Sequence, residues 1–419
     1  MKNIMELKKY KLGEIADFNK RTLNKADSIK EIIYLDTSSI TENVISDTVT
    51  LNVTDAPSRA QRKVEHYTII YSTVRPRLKH YGILKNPNSN LIVSTGFVTI
   101  DIKEEYKGYI DPRYLYLLLT QPSITEYIGN IADTAVSAYP SINPSDISSL
   151  SFDFPEFGIQ NRIADVWENF DQKIALNRQI NDNLEAMAKQ LYDYWFVQFD
   201  FPNDEGKPYK SSGGKMEWND KLKREIPKGW RDGCFSDIAN ITMGQSPDGS
   251  SYNENGDGEI FYQGSTDFGI RFPSVRMYTT APTRFAKQGD ILMSVRAPVG
   301  AVNIANTDCC IGRGLSAINS KIGSMTYIYF VIHYLKVRFD SLNSAGTTFG
   351  SITKDDLYGL PIVVPSSDVI KMYESISKPI FDKQMNIGQE IENLTKQRDE
   401  LLPLLMNGQV SVNYHLSDD

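Results

Sequence analysis

"DILMSVRAPVG", residues 290–300, and "TIIYSTVRPRL", residues 68–78, are written to one scheme. Each has an apolar run of strand length, then Ser or Thr, then Val-Arg, then a proline within two residues. This places Arg75 and Arg296 at matched positions. Three more pairs follow in the same order: "VSTGFVTI" (93–100) with "IGRGLSAI" (311–318), "RYLYLLL" (113–119) with "TYIYFVI" (326–332), and "PSINPSDISSLSFDFP" (140–155) with "GSITKDDLYGLPIVVP" (350–365). One such echo arises by chance. A collinear series of four points to an internal repeat of two large units, not a solenoid of short ones.

Each half begins with short apolar runs broken by Gly, Pro, Asn and Asp, the pattern of strands and turns, with helix candidates at 113–128 and 326–339. The texture changes after Pro155 and again after Pro365. Ile163, Val166, Phe170, Ile180, Leu184, Met187, Leu191 and Tyr194 fall at three- and four-residue spacings, a coiled-coil seam interrupted at Lys173 and Asn177. Tyr373, Ile376, Ile380, Ile387, Ile391, Leu394, Leu401 and Leu405 keep a looser beat, and Pro379 is expected to kink or break that helix. A helix over 159–196 is about 57 Å long. Neither helix can bury its seam alone, so the two are expected to pack on each other. A unit meeting its own copy does so most simply about a two-fold axis, which makes the helices antiparallel.

The expected fold class is α+β: two mixed α/β domains separated by two long antiparallel helices in a coiled coil, with pseudo-two-fold internal symmetry. The expected divisions are a first domain at 1–155, a first spacer helix at 156–200, a linker at 201–230, a second domain at 231–365, a second spacer helix at 366–408 and a tail at 409–419.

A chain of 419 residues exceeds one ordinary core. No window carries the apolar run of a membrane helix, and "MKNIMELKKYKLGEI" lacks a secretory core, so a cytoplasmic protein without membrane association is expected. Cys234, Cys309 and Cys310 are too few for a disulfide framework and too badly spaced for zinc, which fits idle thiols in a reducing compartment. The net charge of -7 argues against nucleic acid only until its distribution is read. Residues 156–200 and 366–419 each carry a net -4, leaving the domains close to neutral and free to hold a basic face.

Catalytic signatures are missing. There is no phosphate-binding loop, no nucleophile elbow and no zinc-protease helix; the histidines at 66, 80, 333 and 415 are not in ligand spacing. "INPSD" (142–146) lacks the aromatic residue with which amino-methyltransferases stack a flipped base. No cofactor or metal is expected. Binding residues are better represented. Arg62, Lys63, Arg75, Arg77 and Lys79 cluster with Tyr81 in the first half. Arg284, Arg296 and Arg313 mark the second, with Gln245, Ser246, Tyr262 and Gln263 suited to base edges. Arg and Lys contact phosphates, and arginine's planar fork reads guanine in the major groove. A basic run can equally be a solvated face, the matched arginines a shared salt bridge, and the tyrosines core.

"WFVQFDFPNDEGKPYKSSGGKMEWNDKLKREIPKGW" (195–230) resembles the segment joining the two halves of specificity (S) subunits of type I restriction–modification systems. "LLPLLMNGQV" (401–410) resembles the end of that family's second conserved helix, and "GDILMSVRAPVG" (289–300) a motif of its target-recognition domains. The first half departs: Pro76-Arg77 stands where the second has Ala297-Pro298. The resemblance implies a non-catalytic, DNA-binding subunit that reads a bipartite, asymmetric target with one head per half-site. It also implies two partner modification subunits, which supply S-adenosylmethionine chemistry, and restriction subunits that cleave. The competing classes are a self-sufficient DNA methyltransferase or nuclease with fused recognition domains, and a coiled-coil scaffold that binds protein.

Overall fold

The computed structural model describes residues 7–24, 27–134, 140–344 and 351–411, with backbone alone for 337–344. Most of the expected tail, from residue 412, lies outside this range. The chain forms two compact units, one of residues 1–172 with 396–419 and one of 173–395. The division runs through both long helices, so each unit holds a head and a stretch of each helix.

In the first unit, "TIIYS" (Thr68–Ser72) is buried along its whole length, as a β-branched and aromatic central strand should be. It pairs antiparallel with Tyr81–Leu84 on one side and Phe97–Ile102 on the other, and Ala16–Phe18 completes the sheet. A second sheet runs Val49–Asn52, Glu31–Leu35, Leu91–Ser94, Ala60–Lys63, with its central pair parallel. Lys8–Lys11 pairs with Ser151–Phe154 and closes the ends of the head. Pro112–Leu119 starts at a proline, capped by the Asp111 carboxylate accepting from the Arg113 amide at 2.8 Å.

The second unit repeats this pairing scheme. Ala239–Met243, Leu315–Ser320, Ile291–Ser294 and Val302–Ile304 form one antiparallel sheet in the corresponding order. The other sheet centres on the parallel pair Glu259–Tyr262 and Cys309–Ile311. Arg231–Cys234 pairs with Pro361–Val364. The helix candidate at 326–339 lies within Met325–Ser344.

The first long helix is Phe157–Tyr192 and the second Ser367–Met406. In the second unit Ile174, Ile387 and Ile391 form a buried cluster with Ile180, Leu184 and Leu394. Lys173 bonds Glu390 at 2.7 Å and Gln384 bonds Glu185 at 2.9 Å, so the partner number falls as the first helix advances and the two run antiparallel there. In the first unit Ile163 and Trp167 meet Leu405 in the head's own core, flanked by Leu401 and Leu402. Asn177, expected to interrupt the seam, is buried, as is Asn181.

The expected break at Pro379 does not occur; the helix is continuous through it. A proline in a helix forfeits one backbone bond and crowds the preceding turn, at about 3 kcal/mol. Tyr373, Ile380, Phe381 and Met385 pack into the core on either side of it, and this packing holds the helix together.

The linker string has a structural role. After Tyr192 the helix widens into a π-turn, Asp193–Val197. That turn drives Phe196 against Tyr327 and Tyr373, with ring centroids 4.7 and 4.8 Å away. Phe201 then stacks on Tyr209 at 4.6 Å and on Trp230 at 5.0 Å. The aromatic residues of "WFVQFDFP", "GKPY" and "PKGW" thus latch the linker to the second head. Aromatic pairs of this kind add about 0.5–1.5 kcal/mol each beyond their buried area.

Truncating Ile174 to Ala should destabilise the second unit by about 2–4 kcal/mol, read from the denaturant midpoint. Leu176, two residues on and 55% exposed, should change it by less than about 0.5 kcal/mol on the same substitution.

Candidate nucleic-acid interface

In the second unit the candidate site is built on one turn. Strand Cys309–Ile311 ends in Gly312-Arg313-Gly314, and the chain then enters Leu315–Ser320 of the other sheet. The Gly312 amide donates to the Tyr262 carbonyl at 2.8 Å. A Cβ on Gly314 would stand 2.6 Å from the Gln263 carbonyl oxygen, and one on Gly312 would stand 3.2 Å from the Gln263 Cα. Gly314 is therefore demanded by the close approach of residue 263, and a side chain at position 312 would be tight against it. Around this turn the Gln245 amide donates to the Ile311 carbonyl at 3.0 Å, and the Arg313 amide to the Ser246 hydroxyl at 3.3 Å. The Thr283 hydroxyl bonds the Gln245 carbonyl. The Ile311 amide reaches the Arg284 carbonyl and the Val295 amide the Gly314 carbonyl, each at 2.9 Å.

Six of the seven residues expected in this half are thereby gathered: Gln245, Ser246, Gln263, Arg284, Arg296 and Arg313. All are exposed except Ser246, which is half-buried. The guanidinium groups of Arg284, Arg296 and Arg313 make no ion pair or hydrogen bond among the described residues. Three open cations beside two amide side chains on a braced turn can donate to phosphates and read base edges. Tyr262 corrects the expectation. It is 0% exposed, in a strand covered on both faces, and burial pushes its phenol well above its ordinary range. It supports the turn through its backbone and cannot stack on a base.

Two other second-half arginines are held by partners, Arg276 at the surface and Arg271 in the interior. Arg276 pairs with the buried Asp267, and Arg271 is held between rings and helix side chains.

The first unit has a corresponding turn at Ser94-Thr95-Gly96, where the Thr73 amide and hydroxyl both donate to the Gly96 carbonyl at 2.9 Å. The expected cations are spread around this head and mostly braced. Arg77 forks onto Glu126, Asn130 and Asp133 of the helix Pro122–Asp133. Lys79 pairs with Glu42 at 2.6 Å and Lys63 with Asp27 at 2.7 Å, which lowers the Asp27 carboxyl. Arg62 is half-buried and donates to Thr22 at 3.4 Å. Arg75 is exposed, in the left-handed region at φ 47°. Tyr81, like Tyr262, is a core ring, stacked on Tyr71 at 5.4 Å.

The matching of Arg75 to Arg296 is also corrected. Ser72 pairs with Phe97 and Ser294 with Leu315. Val74 bridges Ser141 just as Arg296 bridges Ser351. The Ile142 amide reaches Thr73 as the Ile352 amide reaches Val295. Aligned by backbone pairing, Arg296 corresponds to Val74, and Pro76 to Pro298. The shared Val-Arg dipeptide is displaced by one residue, because pairing partners and not identities set the register.

Residues missed from the sequence stand at the first unit's turn. Thr37 lies where a Cβ on Gly96 would fall, 2.8 Å from its methyl, and the Thr95 amide donates to the Arg59 carbonyl at 2.8 Å. Arg59 is exposed and 3.7 Å from Asp36. A signal existed: "YLDTSS" (34–39) leaves its strand as "FYQGST" (261–266) does.

A family model described as the type I restriction modification DNA specificity domain matches residues 5–186 and 227–402. The type I restriction enzyme HindI specificity subunit of Haemophilus influenzae is 26% identical over 96% of this chain and 99% of its own length. The putative type I restriction enzyme MjaX specificity subunit of Methanocaldococcus jannaschii is 34% identical over 73% of this chain and 70% of its own. The crystal structure of a type I restriction–modification S subunit from M. genitalium shares the fold, with a TM-score of 0.57 over 96% of both chains at 16% identity. The family match along both halves leads to one conclusion: the chain belongs to the type I restriction–modification DNA specificity family, as a DNA-recognition subunit and not a catalytic one.

Proposed function

We propose that this chain reads a bipartite, asymmetric sequence in double-stranded DNA, one half-site per head. The observation that carries this reading is that one pairing scheme, made twice, ends in equivalent turns lined by different side chains. Gln245, Gln263, Arg284, Arg296 and Arg313 surround one turn; Thr37, Arg59 and Arg75 belong to the other, with Arg62, Lys63, Arg77 and Lys79 shaping its surroundings. Equal scaffolds with unequal tips give two specificities on one backbone plan.

The heads are residues 1–155 and 231–365. Residues 156–200 and 366–408 form an antiparallel coiled coil that relates the heads by pseudo-two-fold symmetry and fixes the gap between half-sites. Residues 201–230 latch the second head to its helix, and the tail 409–419 follows. The helices also dock two modification subunits, which bring S-adenosylmethionine and methylate adenine, and restriction subunits complete the assembly. The proposed place of action is beside cytoplasmic DNA; no helix among the described residues is long and apolar enough to cross a membrane.

Exchanging residues 1–155 for the corresponding head of another family member should change one half of the methylated target and leave the other intact. A change in both halves, or in neither, overturns the assignment. Within the second head, Arg313→Ala should weaken binding by about 1–3 kcal/mol and flatten its salt dependence without moving the melting temperature. Arg77→Ala should do the reverse, lowering the melting temperature more than the affinity. Binding indifferent to salt would favour a protein ligand instead.

A further inference from the structure

Arg271 stands apart from the other second-head arginines. Its side chain is only 9% exposed. The guanidinium lies between two rings, 5.2 Å from the centroid of Tyr329 and 4.8 Å from that of Phe381. It pairs with Glu185 of the first long helix at 3.3 Å and donates to Gln384 of the second at 3.1 Å. Gln384 in turn donates to Glu185 at 2.9 Å. One side chain from a head loop thus binds both long helices and the helix Met325–Ser344. The second helix is shaped to receive the loop: a Cβ on Gly388 would stand 2.8 Å from the Phe272 ring.

The same loop begins at the reading turn. Buried Asp267 accepts from the Gln263 amide at 2.7 Å and from the Gly264 amide at 3.4 Å, and it holds Arg276. The Ser274 amide returns to the Asp267 carbonyl at 2.7 Å. Asn303 clamps Gly269 through both of its backbone groups, and the Ile304 amide donates to the Arg271 carbonyl at 3.1 Å. Residues 263–276 are therefore a closed, hydrogen-bonded strut. Gln263 stands at the DNA-facing end and Arg271 is seated in the helix pair at the other.

We infer that Arg271 is the positioning residue that fixes the second reading surface to the spacer helices, so that gap length is read as strictly as sequence. The inference rests on the bipartite reading proposed above. One added base pair turns a half-site by roughly 34°, from about 10.5 bp per turn. A head rigidly seated on the helices cannot follow that rotation, whereas a loosened head can.

The test uses the full chain assembled with its modification subunits, on duplexes whose gap is correct, one base pair longer or one shorter. The unsubstituted complex should lose about tenfold or more in affinity for either wrong gap. Arg271→Met keeps the apolar stem and removes the fork. It should reduce that penalty to about threefold or less while the penalties for base changes within each half-site stay as they were. If that variant does not assemble, Glu185→Gln, which leaves the shape and removes the charge, should shift the penalty in the same direction. An undiminished gap penalty in the substituted complex, or an equal weakening on every duplex, overturns the role of Arg271 alone. An unsubstituted complex indifferent to gap length overturns the bipartite reading itself.

Discussion

The narrow isoleucine seam between the two long helices is the constraint on which the rest of the structure depends. Helices with charged, solvated faces gain little from propensity and are held by the apolar stripe they bury. Here Ile174 meets Ile387 and Ile391, and the Lys173–Glu390 pair lies at its margin. The same helices close the head cores. Ile163, Trp167 and Leu405 belong to the core of the first unit, and Val369, Ile370 and Tyr373 to that of the second. Without these helices, each head would lose one wall of its interior.

Charge is divided between two tasks in the second head. Arg271 and Arg276 are spent on structure, the first among helix side chains and the second on Asp267. Arg284, Arg296 and Arg313 stand open around a turn whose backbone is braced by amide–carbonyl bonds. A rigid turn with open cations can present donors to DNA without first paying to order them. The first head uses more of its cations as braces, and its Arg77 illustrates the cost of judging by charge density alone.

Periodicity and repetition made much of the architecture legible. The collinear echoes matched elements that pair alike, and three-four spacing marked the first long helix while a looser beat marked the second. What stayed hidden was what lies across from each residue. The Val-Arg echo suggested matched arginines, yet strand pairing shifts them by one, because Ser72 and Ser294 hold the register. Tyr81 and Tyr262 looked available for stacking, but their strands are covered on both faces. Pro379 carried a local break signal that tertiary packing overrides. The linker string was readable as a family signature, while its physical role as an aromatic latch needed the contacts of Phe196, Phe201 and Trp230.

The central claim is that two dissimilar heads on one chain read two separate sequences at a fixed distance. Mapping methylated adenines across a host genome that carries this chain with its partner subunits addresses it most directly. The account predicts a single motif of two unlike half-sites separated by a constant unspecified gap. A contiguous motif, two identical half-sites, or a gap that varies from site to site would contradict it.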